Sequence, residues 1–263
     1  MKRAAESAGA PAADAKAARQ SAGEEAAAKG EAADSEDEEG EIVEAEEQDA
    51  SARAAKAWVL DLSRPPAARI VRSPLGFACE KGRPVPGLWL EFGVYSGQTA
   101  NLMAVHAPGK VFGFDTFTGL PEDWRDSHKK GHFNLHGHFP PVKDNVELVA
   151  GLFQDTLVPF LERHPGDKLA VAHLDADLYS ATIYALRELA PRVVPGTLLV
   201  FDELINFDGY QLHEWKALLE ATHEFGWEVE FIAQSGELKL VVENEIAETQ
   251  QVALRVTKVR AGR

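Results

Sequence analysis

Two carboxylate pairs stand out where residue type and spacing suggest chemistry. One is Asp175 and Asp177 in His173-Leu174-Asp175-Ala176-Asp177-Leu178-Tyr179, and the other is Asp202-Glu203 after the apolar run Leu198-Leu199-Val200-Phe201. Asp175 and Asp177 are two apart, so an extended chain sends both side chains to the same face. Each pair follows a strand-like run. If those strands are neighbours, about 4.8 Å apart, four carboxyl groups repel one another, and a hard divalent cation held by oxygen ligands is the natural resolution.

A second constellation is Glu91-Phe92-Gly93-Val94-Tyr95-Ser96-Gly97-Gln98-Thr99, at an expected strand-to-helix turn. Glycines there allow a ligand close to the backbone, and the helix N-terminus offers free N–H groups. Dinucleotide sites use three glycines around a pyrophosphate. The ExGxxxG pattern has two glycines and an acid at the strand end, which favours a ligand without a pyrophosphate, such as S-adenosylmethionine, whose amino and carboxylate ends can meet Glu91 and the loop amides. Asp115 ends the next strand-like run, 18 residues after Gly97. That is close to the offset of about 20 residues at which a carboxylate binds ribose hydroxyls; a strand-end Asp can also cap the following turn.

The elements that must position these groups are legible as alternating patterns. Strands are expected at Leu88–Val94, Val111–Thr116, Val146–Phe153, Leu169–Asp175, Thr197–Leu204, Glu228–Ala233 and Leu238–Glu243, and helices near 98–107, 155–164, 179–190 and 210–225. The last helix carries Leu212, Trp215, Leu218, Leu219, Thr222 and Phe225 at the spacing of one buried face. Strand–helix alternation implies an α/β fold, a Rossmann-like, doubly wound, mostly parallel seven-stranded sheet with helices on both faces and its site at the carboxyl ends of the strands. The last two expected strands share the turn Gln234-Ser235-Gly236 and should form an antiparallel hairpin at the sheet edge.

Charge is spread unevenly over the 263 residues. Residues 1–50 hold 15 acidic and 5 basic residues, 17 alanines and no Phe, Trp, Tyr or Leu, so they cannot bury enough apolar surface to fold and are expected to be a disordered tail. An irregular or helical lead-in over 51–87, a catalytic domain over 88–245 and a C-terminal extension over 246–263 complete the expected organisation. The net charge of −15 and the lack of a dense Lys/Arg stripe disfavour nucleic acid as a partner. The single cysteine, Cys79, rules out an internal disulfide and a Cys-based zinc site. No run approaches a membrane span or a secretory h-region, so a cytoplasmic protein without a membrane partner is expected. The long segment 117–141 carries Trp124, His128, His132, His136 and His138. It reads as a mobile polar lid over the site, with Trp124, His132 and His136 as candidates to contact an acceptor.

Taken together, Leu90-Glu91-Phe92-Gly93-Val94, Gly113-Phe114-Asp115-Thr116-Phe117-Thr118-Gly119-Leu120-Pro121, Gly151-Leu152-Phe153-Gln154-Asp155-Thr156-Leu157, Leu174-Asp175-Ala176-Asp177-Leu178-Tyr179 and Pro195-Gly196 leading into Asp202-Glu203 resemble, in order, the metal-dependent sugar O-methyltransferases of the macrocin and mycinamicin type. These are a branch of the class I S-adenosylmethionine-dependent methyltransferases. The resemblance covers roughly residues 85–240 and implies S-adenosylmethionine and magnesium, or a similar divalent cation, as cofactors. It implies Asp175, Asp202 and Glu203 as metal ligands and Asp177 as general base. Glu203 stands where the antibiotic-tailoring members more often have Asp. Glu91, Gly93, Ser96, Gly97, Asp115, Thr116, Phe153 and Gln154 are the cofactor-binding candidates. The implied reaction is methylation of a hydroxyl on a small molecule such as a sugar, polyol or phenol, and homo-oligomers are common in that family. Two other readings use the same acids: a DxD metal-dependent glycosyltransferase or other nucleotide-binding α/β enzyme, and a non-catalytic S-adenosylmethionine-binding module. The first leaves the glycine turn and Asp115 unexplained; against the second, every acidic position the methyl transfer needs is intact.

Because residues 1–50 lack core-forming side chains, a chain starting near Ser51 is expected to keep the full-length thermal midpoint and S-adenosylmethionine affinity. Differential scanning fluorimetry and calorimetry check this, and a loss of either would mean that the tail packs on the domain.

Overall fold

The computed structural model describes residues 69–205, 207–236 and 250–260. The acidic tail and the strand expected at Leu238–Glu243 lie outside the described residues. In chain order the elements are β1 (Arg69–Ile70), α1 (Pro74–Lys81), β2 (Leu88–Phe92), α2 (Gln98–His106), β3 (Val111–Asp115), β4 (Val146–Ala150), α3 (Phe153–Glu162), β5 (Leu169–Leu174), α4 (Tyr179–Leu189), β6 (Leu198–Ile205), α5 (Glu214–Phe225), β7 (Glu228–Gln234) and β8 (Gln250–Lys258). Local chemistry sets several boundaries. Ser73 caps α1 by accepting from the Gly76 N–H at 3.0 Å, with Pro74 at the first helical position. Gly226, at φ +63°, ends α5 in the left-handed conformation.

The described strands form one sheet in the order β1-β7-β8-β6-β5-β2-β3-β4, parallel throughout except for β8, which runs antiparallel to both its neighbours. Every residue of β2 and β5 is buried, as expected for central parallel strands covered on both faces. Side-chain alternation splits the core in two. Leu88, Leu90 and Phe92 pack with residues of α3, α4 and α5 on one face, while Trp89, Val171, Leu198 and Val200 pack with residues of α1 and α2 on the other. From β2 the chain builds outward through β3 and β4, then returns to place β5 and β6 on the other side of β2. The connections therefore diverge between β2 and β5, and the crevice for a ligand opens there, beyond the strands' carboxyl ends.

The sheet has the expected class, with eight described strands rather than seven because the short β1 adds an edge beside β7, and with a further difference in its last part. The antiparallel partner of β7 is 250–258, which sequence reading assigns to an extension beyond the domain, and it lies inside the sheet between β6 and β7. Val252, Leu254 and Val256 alternate with Ala253 and Arg255 in that segment, a short pattern easily missed behind a polar stretch. Leu212, expected on the buried face of the last helix, is half exposed because α5 begins only at Glu214.

A chain ended after residue 245 would lose β8 and strip both β6 and β7 of a paired neighbour. Such a truncation is expected to abolish cooperative unfolding in circular dichroism. A folded, monodisperse product would show that β8 is dispensable.

Candidate active site

The turn after β2 is shaped by contacts only glycine tolerates. Gly93 sits at φ +93°, and a Cβ there would lie 1.8 Å from the carbonyl oxygen of Asp175. The ends of β2 and β5 therefore meet backbone to backbone. Gly97, at φ +77°, starts α2 and packs against Val142 and Pro140. Asp115, at the end of β3, fixes this turn from the side: its Oδ2 accepts the N–H groups of Val94 and Tyr95, both at 2.8 Å, and its Oδ1 accepts that of Phe117 at 2.7 Å. Thr116 braces the next turn, its hydroxyl donating to the Gly119 carbonyl at 3.0 Å.

A cleft of about 600 Å³ opens over these strand ends, within the size range of small-molecule sites. Of the expected cofactor residues, Gly93, Asp115, Thr116, Phe153 and Gln154 line it. Asp175, Asp177, Asp202 and Glu203 line it as well. Ser96 and Gly97 are not among its lining residues, and Glu91 is fully buried beneath it. Instead of facing the cleft, Glu91 holds His173: its Oε1 lies 3.1 Å from His173 Nδ1.

The four acidic residues do not converge as one set. Neighbours on a strand point to opposite faces, so Asp202 turns toward the α1/α2 side and Glu203 toward α5, and the ladder between β6 and β8 is irregular there. Asp175, just past the end of β5, belongs to both sides. Ligand atoms of Asp175, Asp177 and Glu203 lie within 4.8 Å of one another, and so do those of His173, Asp175 and Asp202. Asp202 is oriented by the Gln251 amide, whose own oxygen accepts the Leu75 N–H at 2.8 Å. On the other face the fully buried Glu214 accepts the Glu203 N–H at 3.2 Å. Asp177 itself sits at φ +60°, and Tyr95, Phe117 and Phe133 around the cleft also have positive φ. Such strain in non-glycine residues concentrates where position matters more than stability.

Burial and mutual repulsion dominate the electrostatics. Burial, then the facing Asp202, pushes the Asp175 carboxyl well above its usual range; Glu203 and Glu214 are raised by burial and then by Asp175. For Asp177, burial outweighs the opposing Arg125 guanidinium and lifts the pKa to about 7. His173 is the counterweight: burial opposes its charge, but the flanking Asp202 and Glu91 hold its pKa well above normal. Burial raises Asp202 too, yet the His173 imidazolium more than reverses this. Among the described residues, the carboxylate oxygens Glu91 Oε2, Glu203 Oε2 and Glu214 Oε1 are buried without a hydrogen-bond partner. An oxygen-rich, under-neutralised cluster with orphaned acceptors fits a hard divalent cation.

The 117–141 segment is tied down by its own backbone, with Leu120 N–H donating to the His132 carbonyl, Gly131 N–H to Leu120 and Gly137 N–H to Phe117, each at 2.9 Å. It contributes Gly119, Leu120, Pro121, Glu122 and Phe133 to the cleft, but Trp124, His132 and His136 are not among the lining residues. Trp124 is buried with its ring against Phe207 and His213, and the Arg125 guanidinium stacks on it 3.9 Å from the centroid. Sequence reasoning gives no role to His173, Glu214, Tyr95, Phe133 or Arg125. His173 carries a usable signal, being two residues before Asp175 on an extended strand and hence on the same face. Glu214 carries none, since its tie to Glu203 arises only when α5 docks.

A family model described as macrocin-O-methyltransferase (TylF) matches residues 80–218. The chain is 33% identical over 143 residues to the 8-demethyl-8-(2,3-dimethoxy-alpha-L-rhamnosyl)-tetracenomycin-C 4'-O-methyltransferase of Streptomyces olivaceus, covering 45% of this chain and 53% of that protein. It is 29% identical over 167 residues to the mycinamicin III 3''-O-methyltransferase of Micromonospora griseorubida, covering 54% and 61%. The chain thus spans somewhat more than half the length of these curated relatives. Among solved structures, the calicheamicin methyltransferase CalS11 is similar at 25% identity and a TM-score of 0.45, covering 65% of this chain and 72% of that one. The O-methyltransferase NovP is similar at 19% identity and a TM-score of 0.47, covering 71% and 78%.

The carboxyl cluster makes stability depend on pH in a defined direction. Asp175, Glu203 and Glu214 have folded-state pKa values above their unfolded ones, so the cation-free folded chain binds more protons than the unfolded chain, and stability falls as pH rises from about 4 through the raised values. His173 acts in the same sense, its contribution complete below about 6.5 and lost as pH passes its raised value. Asp202 opposes this only below about 4. The thermal midpoint in EDTA is therefore expected to decline from pH 5 to pH 8, with saturating magnesium flattening the slope. A midpoint that climbs over that range would contradict the assignment.

Proposed function

Since the chain belongs to the macrocin-O-methyltransferase family, we propose that it is an S-adenosylmethionine-dependent, divalent-metal-assisted O-methyltransferase acting on a hydroxyl of a small sugar, polyol or phenol. One observation carries the reading: the carboxylates of Asp175, Asp177, Asp202 and Glu203 and the glycine turn at Gly93 open onto the same cleft. The DxD glycosyltransferase reading leaves the glycine turn without a role. The acidic balance of the chain supports a small acceptor over nucleic acid.

Gly93, Asp115, Thr116, Phe153 and Gln154 would hold S-adenosylmethionine. The bare Gly93 leaves room at the backbone, and Asp115 Oδ1 accepts a single N–H, so one acceptor position stays free for a ribose hydroxyl. Leu152 and Phe153 supply an apolar wall. The resemblance assigns the cation to Asp175, Asp202 and Glu203; Asp175 is common to both groups of donors that lie close together, with Asp177 and Glu203 on one side and with His173 and Asp202 on the other, and a cation held there would lower the pKa of a coordinated hydroxyl and neutralise the crowded carboxylates.

An alcohol is a poor nucleophile at neutral pH, and its oxygen must lose a proton as it attacks the methyl group. In this reading Asp177 accepts that proton. It lines the cleft two residues beyond Asp175, and its left-handed backbone conformation fixes where the carboxylate points. Phe133, Leu120 and Leu152 give the cleft apolar lining. A dry, oriented site favours a step in which the forming alkoxide and the sulfonium lose their charges together.

The test combines calorimetry with product detection. The full chain should bind S-adenosylmethionine in the micromolar range typical of enzyme substrates. It should transfer a labelled methyl group to a member of a panel of sugars, polyols and catechols, with EDTA abolishing transfer and magnesium restoring it. Asp177→Asn should bind S-adenosylmethionine as the wild type does and lose about 10²- to 10⁴-fold in turnover, the usual worth of a positioned general base. Full activity in Asp177→Asn would assign the proton to another group, and no S-adenosylmethionine binding at millimolar concentration would sink the methyltransferase reading altogether.

A further inference from the structure

A band of polar side chains crosses the buried α1/α2 face of the sheet, one from each of four adjacent strands. Glu91 on β2 faces His173 on β5, His173 faces Asp202 on β6, and Asp202 accepts the amide of Gln251 on β8. Gln251 is anchored in turn by the Leu75 N–H. Of the core residues, His173 is among the least accessible, at 0% exposure. Its two nitrogens are used unequally. Nδ1 pairs with Glu91 Oε1 at 3.1 Å, whereas Nε2 is buried without a hydrogen bond and stands 3.5 Å from Asp202 Oδ1. Nε2 faces Asp202, and donor atoms of His173, Asp175 and Asp202 lie within 4.8 Å of one another, so an ion bound there would take the place of the Nε2 proton.

We propose that His173 Nε2 is a metal ligand, and that His173, Asp175 and Asp202 form a nitrogen-containing cation site that favours a borderline first-row ion such as Mn²⁺ or Co²⁺ over Mg²⁺. Three features support it. The donor atoms of these residues lie within 4.8 Å of one another, close enough for one ion to draw them to bonding distance. The Glu91 carboxylate on the opposite ring nitrogen is the outer partner that fixes the tautomer and orientation of metal-bound imidazoles. Gln251 supplies the equivalent support to Asp202. The chemistry of the donors then sets the preference: imidazole nitrogen raises affinity along the transition series, while Mg²⁺ takes oxygen and keeps its waters. Asp175 is common to this set and to the all-oxygen set with Asp177 and Glu203, so His173 decides which kind of ion the shared carboxylate holds.

The inference rests on reading the acidic cluster as a cation site and is independent of the acceptor. The probe is Mn²⁺ added to the full chain. Pulsed electron paramagnetic resonance of the bound ion is expected to show coupling to one imidazole ¹⁴N, absent in His173→Gln. By calorimetry Mn²⁺ should bind the wild type at least tenfold more tightly than Mg²⁺, and His173→Gln should bring the two to near equality while keeping Mg²⁺ affinity. Glu91→Gln, which leaves the ligand in place, should weaken Mn²⁺ by about tenfold or more. Bound Mn²⁺ without nitrogen coupling in the wild type overturns the proposal even if both variants fail to fold. Failure of every divalent ion to bind overturns it together with the metal role, whereas S-adenosylmethionine binding in EDTA tests the methyltransferase reading separately.

Discussion

Crowding of negative charge at one level of the sheet is the constraint on which the rest of this structure depends. Glu91, Asp175, Asp177, Asp202, Glu203 and Glu214 come together toward the carboxyl ends of β2, β5 and β6, with His173 buried among them and Arg125 acting on Asp177 from the 117–141 segment. Leaving such groups charged and unpaired in a low-dielectric interior is among the costliest arrangements a protein can adopt. The fold meets that cost by dividing the acids between two faces. On one, an imidazole and an amide absorb the charge of Asp202 and Glu91; on the other, Glu203 and Glu214 are pushed toward their neutral forms and keep oxygens in reserve.

The same division accounts for how the acids are used. Asp175 lies past the strand, at the hinge between the two faces, and so can serve ligands on either side. Asp177 is carried two residues farther, into a left-handed conformation that lifts it out of the sheet's alternation and into the cleft. Asp115 is a different case. Its carboxylate is committed first to three backbone N–H groups, so the turn that approaches a ligand is held rigid before any ligand arrives.

Much of this was legible from spacing alone, because it is local. The burial of β2 and β5 follows from largely apolar runs broken only by Glu91 and His173, Gly93 and Gly97 mark a turn that needs φ > 0, and Asp175/Asp177 follow the end of β5 while Asp202/Glu203 lie in the last half of β6. What could not be read depends on partners far along the chain. Glu214 acquires its role only by docking under Glu203, Trp124 is drawn into the core by Phe207 and His213, and the segment expected to move is held by hydrogen bonds across its own loop. Strand β8 was missed for a similar reason, its pattern being short and its place in the sheet set by β6 and β7 together.

The position of β8 also bears on when the molecule becomes whole during synthesis. It follows the other described strands in sequence, yet it fills a gap between β6 and β7 and supplies the Gln251 amide that orients Asp202. Domains form as units while the ribosome works from the N-terminus onward. Here the nascent chain can assemble β2 to β6 but must hold a place open beside β6 until residues 250–258 emerge. The edge left waiting is a long, apolar one, the kind that pairs with other chains. How long that edge stands unpaired before residues 250–258 arrive therefore bears on how this cleft is built.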